Sequence, residues 1–223
     1  MSMIVKSEGN NTIPQLEPGV YTGVASALID LGLQENSMYK KTQRKVMIIW
    51  NIVGETITVN DEELPRVISK EYTMSLGEKS TLRKDLEAWR GKVFSADELE
   101  GFDLRNIINT ACQLQINAQE KNGKTYTNIA AIMAIPKGTK IDTVDDTYIF
   151  DTYEPESWNN YDKIPNWIKE KIKKALNIAE TGLTNYIKDY EEMKKEQEGK
   201  QAETEIPEMS KEELKSIEDN LPF

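Results

Sequence analysis

A chain of 223 residues, 38% hydrophobic and 30% charged, has room for one substantial domain plus a tail, or for two small domains. It contains no histidine and one cysteine, Cys112, which removes Ser-His-Asp and Cys-His catalysis, most zinc sites and any intramolecular disulfide. The formal charge of −10 is uneven: residues 189–223 carry 12 Asp/Glu against 5 Lys, so residues 1–188 stand near −3, and any nucleic-acid surface must be a local basic patch.

Residues 1–18 read as an irregular lead-in, without the apolar core of a signal peptide, ending at Pro18-Gly19. No stretch approaches the length of a membrane span, so the expected location is the cytosol. Val20 to Leu31 favours a long strand whose internal Gly23 suits a bend or bulge. A polar link, Gly32 to Thr42, leads to a second strand, Gln43 to Val53. There Val46, Ile48, Trp50 and Ile52 share one face, and Lys45, Met47, Ile49 and Asn51 share the other. Both faces are partly apolar, which predicts a central strand covered on each side.

A third strand is predicted from Arg66 to Leu76. Ser80 is an N-cap for a helix from Thr81 to Trp89 that Gly91 closes, with Leu82, Leu86 and Trp89 on its inner face. Ser95 and Glu98 have capping-box spacing, which predicts a second short helix. Ala111 to Gln119 alternates with Cys112, Leu114, Ile116 and Ala118 on one face; Cys112 reads as a packing residue. Asn122-Gly123 is a hairpin turn signal, and Tyr126 to Ile135 returns. Three strands, a helical insertion and a hairpin are the element order of an OB-fold, a five-stranded partly open barrel with its helix between strands three and four.

Residues 137–163 are polar with scattered aromatics and read as an extension packed on the barrel, which closes a domain at 19–163. Residues 164–190 carry an apolar stripe from Trp167 and Ile168 through Ile172, Leu176 and Leu183 to Tyr190. This predicts one amphipathic helix covered by the barrel or by another copy of the protein. From Glu191 to Phe223 the Glu/Lys/Gln-rich sequence reads as a disordered acidic tail.

Carboxylates cluster at Asp61-Glu62-Glu63, at Glu98, Glu100 and Asp103, and at Asp142, Asp145 and Asp146, without the spacing of a metal-dependent nuclease. No Gly-x-x-x-x-Gly-Lys-Ser/Thr phosphate loop occurs. The expectation is therefore a protein that binds rather than catalyses, with no cofactor and no metal.

The chain closes on Glu218-Asp219-Asn220-Leu221-Pro222-Phe223, an acidic run before an apolar tip. This ending resembles the C-terminal tip of bacterial and phage single-stranded DNA-binding proteins. The stretch from Ser75 to Phe94 is similar to a family of phage replication-module proteins that resemble single-stranded DNA-binding proteins. Gly101-Phe102-Asp103-Leu104, the Cys112 strand and Gly123 to Ile129 fit the same pattern, so the resemblance covers roughly residues 19–137. It implies an OB-like barrel that coats single-stranded DNA in replication or recombination, in the cytoplasm of a bacterial host. It also implies that Glu218, Asp219, Leu221, Pro222 and Phe223 recruit host or phage replication and recombination proteins. An aromatic slot with a basic rim would receive that tip.

Binding single strands without sequence preference needs cations for phosphates and exposed rings for bases. Tyr39, Lys40, Lys41, Arg44 and Lys45 cluster at the start of the second strand. Arg66, Lys70 and Tyr72 share one face of the third. Lys121, Lys124 and Tyr126 gather at the hairpin tip. Trp50 and Trp89 read as core, and Arg90 and Lys92 as cations at a helix C-terminus. Two rivals remain at this point: a phage adaptor that binds only proteins, and a single-strand annealing protein. Buried rings at Tyr72 and Tyr126 would favour the adaptor, and exposed rings beside lysines the DNA binder.

Overall fold

The computed structural model describes residues 15–36, 41–59, 62–121, 124–141 and 143–204. The chain divides into two compact units, Met1–Ile178 and Ala179–Phe223. The first is mainly antiparallel β: β1 (Gly19–Asn36), β2 (Lys41–Val59), β3 (Glu62–Thr73), β4 (Ala111–Lys121) and β5 (Lys124–Met133) lie in the order β3-β2-β1-β4-β5. The sheet curls into a half-barrel, compatible with an OB-like fold. Its two end strands approach where Lys70 Nζ of β3 reaches the Ile129 carbonyl of β5 at 3.5 Å.

Period-two burial builds the core. Val46, Ile48, Trp50 and Ile52 of β2 meet Leu114 and Ile116 of β4 inside the curl, with Cys112 fully buried among them. Burial pushes the Cys112 thiol up to about 12, as suits a packing residue. Helix α1 (Thr81–Arg90) starts on the Ser80 cap and buries Leu82, Leu86 and Trp89. Trp89 donates its indole N–H to the Ala111 carbonyl at 2.9 Å and lies 5.7 Å from the Trp50 ring. Helix α2 (Ala96–Glu100) carries the expected capping box of Ser95 and Glu98. Arg90, read as a helix-end cation, pairs with Glu98 and spans the rings of Phe94 and Phe102.

β1 departs from expectation in two places. Gly23 makes no bulge: it pairs regularly with Ile52 on one side and Cys112 on the other. It is needed for space, because a Cβ there would lie 2.6 Å from Leu114 Cδ1. The register breaks come later, at Ala25/Ala27 and Asp30/Gly32. Gly32, with φ of 70°, forms a bulge rather than ending the strand, so β1 runs on to Asn36 where a polar link was expected.

Past the first break β1 changes partners. Strand β6 (Tyr148–Phe150) pairs in parallel with Ala27–Ile29, and the Leu176 N–H then donates to the Leu33 carbonyl at 2.9 Å. Both faces of β2 are buried, Met47 and Ile49 as well as the core residues, as its two apolar faces predict. A 3-10 helix (Pro155–Lys163) and helix α3 (Asn166–Lys173) follow β6, burying Trp158, Tyr161, Ile168 and Ile172.

The single helix predicted over 164–190 is therefore interrupted. α3 stops at Lys173 because Leu176 and the Asn177 side chain bond to β1; Asn177 Oδ1 accepts from Leu33 N–H at 2.7 Å. A one-turn helix α4 (Ile178–Thr181) and Gly182 precede α5 (Leu183–Thr204), which stays helical past the point where disorder was expected. Trp167, read as part of the apolar stripe, is 52% exposed.

One buried carboxylate joins these parts. Asp30, 3% exposed, accepts from Gly32 N–H at 3.0 Å, from Arg44 at 3.1 and 2.8 Å, and from the Thr152 N–H at 3.2 Å and hydroxyl. Arg44 also meets Asp151 at 3.0 Å. Burial alone would lower the Arg44 guanidinium; the hydrogen bonds and charges of Asp30 and Asp151 outweigh it and hold its pKa above the ordinary value. Replacing Asp30 by Ala is expected to cost about 3 kcal/mol, the low end for breaking a buried pair because Arg44 retains Asp151. Urea unfolding of Asp30→Ala measures this, and an unchanged midpoint refutes it.

Candidate nucleic-acid interface

The β4–β5 hairpin extends beyond β1, whose pairing with β4 runs from Ala111 only to Ile116. Past that point its two faces diverge in chemistry. In register, Asn117 pairs with Asn128, Gln119 with Tyr126 and Lys121 with Lys124, so these six occupy one face. The intervening face carries Ile116 and Ile129, both buried, and Glu120. Tyr126 is 47% exposed, and Asn117, Gln119 and Asn128 are exposed beside it. Of Lys121 and Lys124 the strand positions are described, at the hairpin tip. The outer face thus combines amides, one open ring and two lysine positions, with no acid in the six.

The other sequence-predicted residues distribute differently. Tyr39 and Lys40 lie outside the described residues, as do Glu218, Asp219, Leu221, Pro222 and Phe223. Lys41 is exposed at the start of β2, and Arg66 is half-buried in β3. Arg44 belongs to the Asp30 cluster. Lys45 donates to Thr73 Oγ1 at 2.8 Å and lies 4.0 Å from Glu71.

Arg66, Lys70 and Tyr72 alternate along β3 as predicted, but the face they share turns toward the core. Tyr72 is 3% exposed, so its ring is no platform for a base. Its hydroxyl and the Lys70 ammonium both donate to Asp85 Oδ2 of α1, each at 2.8 Å. Burial, then the Asp85 charge, raises the Tyr72 phenol well above its ordinary value. The reason is geometric: β3 faces β5 across the opening of the curl, and its even positions fill the seam. Of the two rings that were to discriminate the rival readings, one is buried and one is open.

Among the described residues no group of three Asp, Glu, Cys or His is placed to hold a metal, and no helix is long and apolar enough to cross a membrane. Sequence reasoning missed Trp167 as a surface ring, because it counted the tryptophan into the apolar stripe. The signal was present in Lys169, Lys171, Lys173 and Lys174, which give that turn of helix a wet side.

Tyr72→Phe is expected to lower stability by about 2 kcal/mol, since it removes a bond to a partly buried carboxylate. It should leave nucleic-acid affinity unchanged. Chemical denaturation and oligonucleotide titration of the same variant read both, and a loss of affinity without a loss of stability would restore Tyr72 to the interface.

Scans of the chain against protein-family models and against curated proteins return no match.

Proposed function

We propose that the protein binds single-stranded DNA through an OB-type barrel, coating strands exposed in phage replication or recombination. The observation that carries this reading is the outer face of the β4–β5 arm. Tyr126 stands open opposite Gln119, between the Asn117–Asn128 pair and the Lys121–Lys124 pair at the tip. A ring that stays half in water on a projecting hairpin offers a π-face to any base. The lysine positions suit phosphates, and the flanking amides can bond base edges without adding charge. The acidic C-terminal tip, Glu218 to Phe223, is read as the segment that recruits replication or recombination enzymes, by its resemblance to the tips of single-stranded DNA-binding proteins.

A protein-only adaptor is the second reading. It is favoured by the burial of Tyr72 and by the intramolecular pairing of Arg44 and Lys70. These leave the half-barrel seam without free cations from that set.

Titration of fluorescent single- and double-stranded oligonucleotides separates the two. Preferential binding to single strands is expected, weakening with salt by about 0.7 in log K per log unit for each phosphate contacted. Tyr126→Ala should weaken it about tenfold. Absence of binding, or an affinity indifferent to salt, supports the adaptor.

Deleting residues 219–223 should leave DNA affinity equal or higher, because an anionic segment is removed, while abolishing capture of partner enzymes. A deletion that destroys DNA binding itself would overturn the role given to the tip.

A further inference from the structure

Resting on the single-strand reading, we infer a second nucleotide contact, separate from the β4–β5 arm: Trp167 and Lys171 of α3 with Lys45 of β2, held in place by Glu71 of β3 as a stand-in for a phosphate. Residues 163–174 carry five lysines against Glu170, a net of +4 in a chain of −10. α3 buries Ile168 and Ile172 completely and turns Trp167 and Lys171 outward at i and i+4 spacing, with Lys174 exposed just past its end. Trp50, Trp89 and Trp158 are buried, whereas Trp167 is half-open to water.

The contacts these residues make are the ones a nucleotide would make. The Lys171 ammonium lies 5.6 Å from the centre of the Trp167 ring and 2.6 Å from Glu71. Glu71 lies in turn 4.0 Å from Lys45. One carboxylate thus sits between two ammonium groups, beside a polar recess of about 370 Å³ that Lys79 and the hydroxyls of Ser75 and Ser80 also line. Glu71 is the one acid in that lining. A phosphate in place of the carboxylate would satisfy both lysines, and a base could take the indole face that Lys171 now covers. The Lys171–Glu71 pair is exposed, and such pairs are weak, so exchanging it costs little. Because the three other tryptophans are buried, quenching of intrinsic fluorescence reports on Trp167.

The test uses the full chain and oligodeoxythymidine, following anisotropy of a labelled strand and tryptophan emission together. Binding is expected to quench a component of emission that Trp167→Phe removes. Trp167→Ala should weaken affinity about tenfold and Trp167→Phe much less. Glu71→Gln should tighten binding about threefold at low salt, since it releases a weak ion pair. It should also steepen the salt dependence by about 0.7 for the phosphate that replaces it. Binding by anisotropy, with unquenched Trp167 and wild-type affinity in Trp167→Ala and Glu71→Gln, overturns this contact and leaves the β4–β5 arm standing. No binding of any kind overturns both. Quenching by a peptide of the acidic tail sequence, and not by the oligonucleotide, would make the track a peptide site and also refute the inference.

Discussion

A carboxylate in the interior governs how this molecule is assembled. Asp30 sits on β1 between two register breaks, and every hydrogen bond it accepts ties down something that β-pairing alone would leave loose. The Gly32 amide fixes the bulge, Arg44 fixes the second strand, and Thr152 fixes the segment leaving β6. A carboxyl group so deeply placed beside a guanidinium is tolerable only when well partnered. Its partners come from residues over a hundred positions apart in the chain, so satisfying it selects one relative placement of β1, β2 and the residues after 150. Asn177, bonded to Leu33 and 3.5 Å from the Thr152 hydroxyl, extends the same network to the end of the first unit.

This assembly decides which cations remain for function. Arg44 and Lys70, attractive in isolation, are spent on Asp30, Asp151 and Asp85. Lys41 at the start of β2 stays exposed, the Lys121 and Lys124 positions lie on the hairpin arm, and α3, which packs on β1, pairs its Lys171 with Glu71. The acidic excess of the chain is concentrated after residue 188.

Much of the first unit was legible because its signals are local. Alternation in β2 named both buried faces, Asn122-Gly123 marked a hairpin, and Ser80 and Ser95 marked helix starts to the residue. What escaped depends on partners distant in sequence. Nothing around Gly32 says that the strand resumes after it, since the bulge is held by Asp30 and packed against Ala175 and Asn177. Nothing in the period of residues 164–190 says that Leu176 and Asn177 will leave the helix to bond Leu33. The alternation of Arg66, Lys70 and Tyr72 gave a shared face but could not tell inside from outside. That sign is set by Asp85, thirteen residues beyond Tyr72.

The sequence of partners along β1 has a consequence for self-association. One flank of this long strand is occupied by β2; the other passes from β4 to β6 to the backbone at Leu176, and carries pairing along most of its length. Among the described residues, open hydrogen-bonding edges lie at the two ends of the sheet, β3 and β5, and along β4 past Ile116. β3 carries Pro65, which lacks an amide proton, among the charged residues Glu62, Glu63 and Arg66. A growing fibre would find few docking points along that stretch of β3.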